Sequence, residues 1–288
     1  MLLYLAKPIK ANASNDYIRS GIDVSKWQGK IDWAKVKAAG IEFALLRAGY
    51  GDTLNYPAQI DSTFEYNYSE CKRLGIPVGI YWYSYATTPE MARQEARSCL
   101  AIIKNKQLDY PVYYDVEEMR IFNTGRTNDI IKAFADTMGS SWVVGIYMYR
   151  SAVQAYLNDY TKTHYAMAIA EYGPKLNYTG PYGVWQNSST YRVNGINGNV
   201  DHDYAYVDYP KLIKEAGKNG YPKSTGYRVA ATTTVDLFYD KDGKPPIATQ
   251  YKVGDQCTIE KTMTIGKETW GKVKGSNCWL DLSKMVRI

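Results

Sequence analysis

Short apolar runs alternate with segments of helical periodicity from residue 21 to about residue 210. The short runs are rich in β-branched and aromatic residues, which is typical of strands. Between them, apolar residues recur every three or four positions, which predicts amphipathic helices. Eight strands are predicted, at Gly21–Ser25, Phe43–Gly49, Pro77–Tyr85, Pro111–Glu117, Val143–Tyr149, Tyr165–Glu171, Gly183–Asn187 and Asn199–Tyr206.

Capping residues mark the ends of the predicted helices. Asp32 is a suitable N-cap for the first helix, and Gly40 and Gly75 are suitable ends for the first and second. The predicted helices are Trp33–Ala39, Phe64–Leu74, Glu90–Lys106, Asn128–Met138 and Ala152–Tyr160. Strands that alternate with helices predict an α/β fold. Eight strands favour a (β/α)8 barrel of the triosephosphate-isomerase type, or an irregular relative, with its active site at the C-terminal strand ends.

The pattern changes after the barrel. Residues 218–225 are rich in Gly, Lys, Pro and Ser, which predicts a linker. Residues 226–288 contain short strands without helical periodicity, which predicts a small all-β barrel. We therefore expect an N-terminal arm at residues 1–20, a catalytic α/β barrel at 21–217, the linker and the small domain. The short strands are predicted at Tyr227–Thr232, Val235–Tyr239, Gln256–Glu260, Thr269–Lys274 and Cys278–Asp281.

The composition is that of a folded protein, with 45% hydrophobic and 22% charged residues. The net charge of +6 is scattered among acidic residues, so nucleic acid is not an expected partner. Apolar stretches stay below the roughly 18 residues of a membrane span, so we expect no membrane insertion. Tyrosine is abundant, with 28 Tyr against 5 Phe. Its apolar face and hydroxyl suit the binding of sugar rings.

Cysteine and histidine usage argues against a metal site. The four cysteines show no CxxC spacing and the chain has two histidines, so we expect neither a metal nor a cofactor. Cys71 and Cys99 fall in predicted helices and are interpreted as buried small residues. Cys257 and Cys278 can face each other across strands, and the sequence leaves a disulfide between them open.

Candidate catalytic carboxylates lie at the end of the fourth predicted strand. Asp115 and Glu117 project to the same face of that strand, about 6.6 Å apart along its rise. Mutual repulsion and burial raise the pKa of one member, which can then act as the general acid of a glycosidase. The alternative is a pair of surface or helix-capping acids. Glu118 points to the other face and is expected to be structural.

Two further acids favour the catalytic interpretation. Asp23 ends the first strand and Asp201 begins the eighth, and these strands are neighbours in a barrel. Four acids would then converge at one mouth, a costly arrangement unless it serves a purpose. Asp203 shares a face with Asp201 and is a candidate supporting residue. The predicted 6–7 Å separation of the pair lies between the values for retaining and inverting glycosidases, so the stereochemistry stays open.

Several motifs together resemble, in order and spacing, those of family-25 glycoside hydrolases. The motifs are Gly21–Gln28 (GIDVSKWQ), Leu46–Tyr50 (LRAGY), Val78–Tyr83 (VGIYWY), Tyr114–Glu117 (YDVE), Gly145–Tyr147 (GIY), Trp185–Gln186 and Val200–Asp201. The resemblance covers residues 21–213. It implies N-acetylmuramidase (lysozyme) activity on an irregular barrel.

The resemblance also implies residue roles. Glu117 takes the general-acid position, Asp115 the partner position, and Asp23 and Asp201 the supporting positions. It favours retention, with the acetamido oxygen of the substrate as nucleophile and Asp115 orienting it. Substrate-binding positions are predicted at Arg47, Tyr50, Tyr81, Tyr83, Tyr147 and Trp185. No role is assigned to His202.

Two alternatives are considered for the barrel. Family-18 chitinases also carry Asp-x-Glu on the fourth barrel strand, but the acidic signature that precedes it in them is replaced here by Tyr113 and Tyr114. A non-catalytic wall-binding protein would have no reason to hold repelling acids together.

The C-terminal region resembles a bacterial SH3-type domain at Thr269–Val273 (TWGKV) and Cys278–Asp281 (CWLD). Such domains commonly bind peptidoglycan peptides, although a merely stabilising or dimerising domain is the alternative. The combination predicts a monomeric phage endolysin or bacterial autolysin. Its expected partner is bacterial peptidoglycan, on which it acts outside the cell, either secreted or released from the cytoplasm at phage lysis.

Overall fold

The computed structural model describes residues 17–222, 227–238, 249–265 and 267–288. The chain divides between Pro222 and Lys223 into two compact units. Among the described helices, none is long and apolar enough to cross a membrane.

The first unit is a closed barrel of eight strands in chain order. Strands β1 to β7 run parallel to their neighbours, whereas β8 is antiparallel to both β7 and β1. The predicted α/β barrel is confirmed, in an irregular form. Its strands are β1 (Arg19–Val24), β2 (Phe43–Tyr50), β3 (Val78–Tyr83), β4 (Val112–Asp115), β5 (Val144–Tyr149), β6 (Ala166–Ala170), β7 (Val184–Tyr191) and β8 (Val200–Ala205).

Eight helices belong to the described part of this unit. The predicted helix over residues 152–160 is in fact two helices, α6 and α7, because Leu157 and Asn158 are extended. Turns join β7 directly to β8, which is why β8 reverses direction. The helices are α1 (Trp33–Ala38), α2 (Phe64–Leu74), α3 (Pro89–Ile103), α4 (Met119–Phe122), α5 (Thr127–Met138), α6 (Arg150–Tyr156), α7 (Asp159–His164) and α8 (Tyr209–Ala216).

Alternation along the strands creates two apolar layers. One cluster fills the barrel and includes Phe43 and Tyr113, and the other lies between strands and helices. Glycine makes room for the bulky inner residues. A Cβ on Gly145 would lie 2.4 Å from the Tyr113 ring, so this position of β5 has no space for a side chain. Large aromatic side chains can therefore fill the interior of the barrel below its open end.

The junction between the two units differs from the predicted linker start. Asn219 is fully buried, its amide nitrogen donates to the carbonyl of Tyr110 at 2.8 Å, and its Oδ1 accepts from the backbone of Val143 at 2.7 Å. Residues 218–222 therefore belong to the barrel unit. The Gly/Lys composition did not reveal this because the contacts are long-range. The rest of the predicted linker, residues 223–225, lies outside the described residues.

The predicted N-terminal arm is only partly described. Residues 1–16 lie outside the described residues. Arg19 and Ser20, which were assigned to the arm, instead begin β1 and pair with β8.

The second unit contains an antiparallel sheet in the order β14-β13-β12-β9-β15 and a two-stranded sheet, β10-β11. A small core includes Val229, Ile259 and Leu280. Strands β11 and β15 were not predicted, and the predicted end of the second strand at Tyr239 lies outside the described residues. The strands are β9 (Tyr227–Ala231), β10 (Val235–Asp236), β11 (Gln250–Tyr251), β12 (Gln256–Ile265), β13 (Glu268–Val273), β14 (Trp279–Asp281) and β15 (Met285–Arg287).

Candidate active site

A cavity of about 270 Å³ opens at the end of the barrel where the parallel strands terminate. It contains all four carboxylates predicted as catalytic. Its walls combine these acids with tyrosines, an exposed tryptophan and one arginine. The lining residues are Asp23, Ser25, Trp27, Gln28, Leu45, Arg47, Tyr81, Tyr83, Tyr113, Asp115, Glu117, Tyr147, Tyr149, Tyr172, Gln186, Asp201 and Asp203.

Asp23, Asp201 and Asp203 form one wall of the cavity. Asp23 pairs directly with Asp201 across β1 and β8. Because β8 is antiparallel, its first residues lie at the same mouth as the last residues of β1. In a fully parallel barrel, the start of β8 would lie at the opposite end. The reversal of β8 is thus what brings Asp201 to the site.

The carboxyl groups of this wall repel one another when they are ionised. Burial, together with the charges of Asp203 and Asp201, raises the pKa of Asp23 well above its usual range. Burial and the charge of Asp201 raise the pKa of Asp203 to about 8. The Gln186 amide donates to Asp23 Oδ2 at 2.7 Å, and the Tyr147 hydroxyl donates to Gln186 Oε1 at 2.8 Å. The three acids therefore share protons at neutral pH.

Asp115 and Glu117 form the facing wall. Asp115 is the last residue of β4 and is buried, and Glu117 lies two residues beyond the strand. The predicted strand to Glu117 was too long, so side-chain alternation along β4 does not account for the position of Glu117. Burial and the charge of Glu117 raise the pKa of Asp115 well above its usual range, although Arg47 opposes the shift. Burial and the charges of Glu118 and Asp201 raise the pKa of Glu117.

Arg47 is the one cationic residue among the described residues that line the cavity. Its Nε donates to Asp61 Oδ2 at 2.8 Å, and the Asp61 side chain is fully buried. Burial raises the pKa of Asp61, but hydrogen bonds from Lys26, Thr63 and Arg47 lower it overall. The Nη2 atom of Arg47 has no hydrogen-bond partner within the described chain. The arginine is therefore held at the cavity wall through one nitrogen.

The predicted aromatic positions divide into two groups. Tyr81, Tyr83 and Tyr147 line the cavity. Tyr50 and Trp185 are not among the lining residues. Tyr50 packs beside Tyr85 and below the guanidinium of Arg47, with 5.7 Å between that group and the ring centroid.

Trp185 cannot act as a sugar platform. It is 1% exposed, lies in the layer between the barrel and the helices, and donates its indole N–H to the Glu171 carbonyl at 2.8 Å. Alternation along β7 turns its neighbour Gln186 into the cavity instead. The Trp-Gln motif was correctly located, but sequence alone did not show which of its two residues points inward.

Eight lining residues were not predicted as site residues: Ser25, Trp27, Gln28, Leu45, Tyr113, Tyr149, Tyr172 and Gln186. Trp27, Gln28 and Gln186 lie inside motifs that carried the family resemblance, so their motif positions were an available signal. Tyr149 follows Tyr147 at a spacing of two on β5, which puts both on one face. Tyr172 follows β6 in a loop and had no comparable signal.

His202 has a structural role. It is buried on β8, its Nδ1 donates to Asn187 Oδ1 at 2.7 Å, and its Nε2 accepts from the Ser20 hydroxyl at 2.9 Å. Burial lowers the pKa of His202 to about 4, so the ring is neutral at neutral pH. The side chain joins β8 to its neighbours β1 and β7.

The buried acids predict that the barrel loses stability as pH rises. Asp203 titrates near 3.8 when unfolded and near 8 when folded, so the folded state binds more protons between these values. Its stabilising contribution is complete below pH 4 and is lost as pH rises through 8. Calorimetry of wild type should show a falling melting temperature over this window. Asp203→Asn should flatten the decline, whereas the exposed Asp136→Asn should not; equal slopes for all three proteins would contradict the assignment.

The fold and site define the class of protein. An α/β barrel with paired carboxyl groups after its fourth strand, in a cavity lined by aromatic residues, is an arrangement of glycosidases. Residues 22–196 match the family model of glycosyl hydrolases family 25. The chain belongs to this family.

Three known proteins illustrate the similarity. The uncharacterized protein YegX of Escherichia coli O157:H7 is 31% identical over 215 residues, which cover 69% of this chain and 74% of YegX. The autolytic lysozyme of Clostridium acetobutylicum is 31% identical over 185 residues, which cover 64% of this chain and 54% of that protein. The modular autolysin LytC of Streptococcus pneumoniae superposes with a TM-score of 0.58 at 32% identity, covering 65% of this chain and 46% of LytC. The similarity thus spans about half of the last two proteins.

Proposed function

We propose that this protein is an N-acetylmuramidase that cleaves the β-1,4 bond between N-acetylmuramic acid and N-acetylglucosamine in peptidoglycan. The observation that carries the proposal is the pair Asp115 and Glu117, both with raised pKa, facing further acids across one cavity. Similarity to an autolytic lysozyme supports the substrate class, as does the pneumococcal autolysin LytC, whose structure is known with a synthetic peptidoglycan ligand.

Glu117 is the proposed general acid. It is largely buried yet lines the cavity, so it can reach a glycosidic oxygen. Its raised pKa favours the protonated form relative to a free glutamate, and protonation of the leaving oxygen is the step that glycosidic cleavage requires. Because Asp115 and Glu117 repel each other, the pair holds a proton that neither would hold alone.

Asp115 is the proposed orienting residue. Its Oδ1 atom is buried in the cavity without a hydrogen-bond partner among the described residues. An acetamido N–H of the substrate would supply that partner and would stabilise the ionised form of Asp115. The shared proton would then move to Glu117. The acetamido oxygen would attack the anomeric carbon as the bond to the leaving oxygen breaks and Glu117 protonates that oxygen. Water, deprotonated by Glu117, would then attack the same carbon and open the oxazolinium ring, so the configuration would be retained.

Asp23, Asp201 and Asp203 are proposed to stabilise the transition state electrostatically. Cleavage creates positive charge on the sugar ring, and preorganised acids in the cavity wall attract that charge more strongly than bulk water does. Gln186 and Tyr147 fix the direction of the Asp23 carboxyl through their two hydrogen bonds. Repulsion among these acids destabilises the free protein, and the positive charge of the transition state relieves it.

The C-terminal unit is proposed to be an SH3-type domain that binds cell-wall peptide. Its five-stranded antiparallel sheet around a small core supports this proposal, together with the motifs TWGKV and CWLD. A muramidase joined to such a domain would be a monomeric phage endolysin or bacterial autolysin. It would act outside the cell on peptidoglycan.

Mass spectrometry of muropeptides released from purified walls tests the activity. A muramidase leaves N-acetylmuramic acid at the new reducing end. Release of fragments with N-acetylglucosamine at that end would indicate a glucosaminidase instead. The absence of any released fragment would leave the protein as a wall binder and would contradict the proposal.

Truncation tests whether the first unit carries the catalytic activity and the second unit the binding to cell walls. A chain ending at Pro222 should fold and cleave soluble glycan fragments at nearly the full rate, because the barrel has its own core. It should lyse intact walls at least about tenfold more slowly, because tethering to the polymer is lost. Turbidity and reducing-sugar assays measure the two activities.

The position of the cut provides a control. A chain ending at Gly217 also lacks Asn219 and Tyr221, whose side chains bond to Tyr110 and Asp109 of the barrel. It should melt at a lower temperature than the chain ending at Pro222. If the longer truncated chain lost activity on soluble fragments, the second unit would be needed for the fold or the active site.

A further inference from the structure

An exposed tryptophan stands at the rim of the cavity. Trp27 is 77% exposed although it lines the cavity. Two hydrogen bonds hold the short turn that carries it: the backbone N–H of Ser25 donates to Gln28 Oε1 at 2.9 Å, and that of Lys26 donates to Asp61 Oδ2 at 3.0 Å. The ammonium group of Lys26 lies over the indole, 5.2 Å from its centroid. The fold therefore holds a large aromatic ring exposed at the rim of the cavity, where a ligand can reach its face.

A second aromatic group lies on the other side of the mouth. Tyr149 ends β5 and Tyr172 follows β6, and their rings meet edge to face with centroids 6.1 Å apart. Both side chains line the cavity and are 40% and 46% exposed. In a closed barrel of eight strands, β5 stands four strands from β1, so the Tyr149–Tyr172 pair lies opposite Trp27.

We propose that Trp27 and the Tyr149–Tyr172 pair are two sugar-binding subsites, and that a glycan strand crosses the mouth from the β1 rim to the β5 rim. This inference rests on the proposed function. Aromatic faces stack on the C–H surfaces of pyranose rings, and the tyrosine hydroxyls add hydrogen bonds. A strand on this course passes over Asp23 on one wall and Glu117 on the other. The preferred ligand is therefore an N-acetylated β-linked chain of several sugars.

Calorimetric titration of the Glu117→Gln protein with a peptide-free N-acetylmuramic acid–N-acetylglucosamine hexasaccharide tests the subsites without cleavage. Trp27→Ala and Tyr149→Ala, each in that background, should weaken binding about tenfold, the effect of losing one stacking contact. Trp27→Phe should keep most of the affinity. Tyr160→Ala is the matched control, because Tyr160 is 52% exposed on α7 and is not a lining residue, and it should change nothing.

The outcomes separate the subsites from the activity. Unchanged affinity in Trp27→Ala and Tyr149→Ala would overturn the crossing path, while release of muropeptides by the wild type would leave the proposed function standing. If the Glu117→Gln protein failed to bind the hexasaccharide and the wild type released nothing, both proposals would fall together. In the active background, the same two changes should raise KM for the hexasaccharide with little change in kcat.

An independent observation concerns a buried carboxylate behind the site. Glu95 lies on α3 and is 2% exposed. It accepts hydrogen bonds from the Tyr114 hydroxyl at 2.5 Å, the Ser84 hydroxyl at 2.9 Å and the backbone N–H of Tyr85 at 2.7 Å. Burial raises the pKa of Glu95 to about 7, against the effect of these donors.

The partners of Glu95 adjoin the proposed catalytic residues. Tyr114 immediately precedes Asp115, and the backbone N–H of Ser84 donates to the carbonyl of Asp115 at 2.9 Å. Tyr85 packs edge to face on Tyr83, with 5.3 Å between ring centroids. One side chain of the helical layer is thus bonded to the ends of both β3 and β4.

We infer that Glu95 is a positioning residue, which fixes the strand ends that carry Tyr83, Asp115 and Glu117. It acts through Tyr114 and Ser84 and does not itself touch the substrate. Like the subsites, this role presupposes the proposed function.

Glu95→Gln tests the role, because it removes the charge at nearly constant volume. Titration with the hexasaccharide counts the active sites, so that kcat can be expressed per site. That kcat should fall about tenfold while KM stays within about twofold of wild type, because a small misplacement of catalytic groups slows chemistry more than binding. The alkaline limb of the pH–rate profile should also move, because the spacing of Asp115 and Glu117 sets it. Tyr114→Phe removes one hydroxyl, keeps the ring that stacks on Phe134, and should reproduce part of the effect.

Asn67→Ala is the control for general destabilisation. Asn67 is buried on α2 and accepts from the Trp33 indole at 3.0 Å, distant in sequence from the strand ends in question. It should lower the melting temperature without changing kcat per active site or the pH profile. If Glu95→Gln and Tyr114→Phe behaved like Asn67→Ala, Glu95 would be only structural. An inactive wild type would instead remove the proposed function and this role with it.

Discussion

Replacement of Glu117 by Gln should abolish wall lysis and leave the fold intact. Gln has nearly the same volume but cannot donate a proton to the leaving oxygen, and losing a general acid costs about 10²–10⁴-fold in rate. The fold should persist because the change removes one of the repelling charges around Asp115. Turbidity clearance of purified walls measures the rate, and calorimetry checks the fold.

Glu118→Gln is the matched control. Glu118 is adjacent in sequence, is not among the lining residues, and accepts from the Tyr83 hydroxyl at 2.9 Å. Its loss should leave kcat within a fewfold of wild type. The charge of Glu118 also raises the pKa of Glu117, so the alkaline limb should move slightly to lower pH. A well-folded Glu117→Gln protein that clears walls at the wild-type rate would contradict the assignment of Glu117 as the general acid.

Asp115→Asn should make the enzyme more stable and nearly inactive. The raised pKa of Asp115 means that its charged form is disfavoured in the folded state. That cost is absent below the unfolded pKa near 3.8 and grows as pH rises, so a neutral Asn should stabilise the protein most at neutral and alkaline pH. Activity should fall at least about 100-fold, because Asn cannot stabilise charge that develops on the acetamido group.

The measurement pairs melting temperature with kcat at pH 5 and pH 8. The exposed Asp129→Asn on α5 is the control and should change neither quantity. A gain in stability with full activity would show that Asp115 destabilises the fold and has no role in catalysis. A loss of stability at pH 8 would mean that the ionised carboxylate has stabilising partners that the raised pKa argues against.

Local sequence determined the elements of the barrel. The eight strands and most helices were predicted because apolar periodicity and capping residues act over a few neighbouring positions. The predicted helix over residues 64–74 begins and ends where the structure places it, with Gly75 in a left-handed conformation at its end. The candidate acids were found the same way, as carboxylates at the ends of apolar runs.

Tertiary structure decided which side chains meet. The direction of β8 depends on its pairing with β1 and β7, and only that direction puts Asp201 beside Asp23. Alternation assigns Trp185 and Gln186 to opposite faces of β7, but the inward face is chosen by packing against the rest of the barrel. The turn that carries Trp27 is bonded to Asp61 through the backbone N–H of Lys26, across 35 residues of sequence. Contacts between distant segments leave no pattern in the local sequence. The local sequence therefore determined the strands and helices, and the closed barrel determined which side chains form the site.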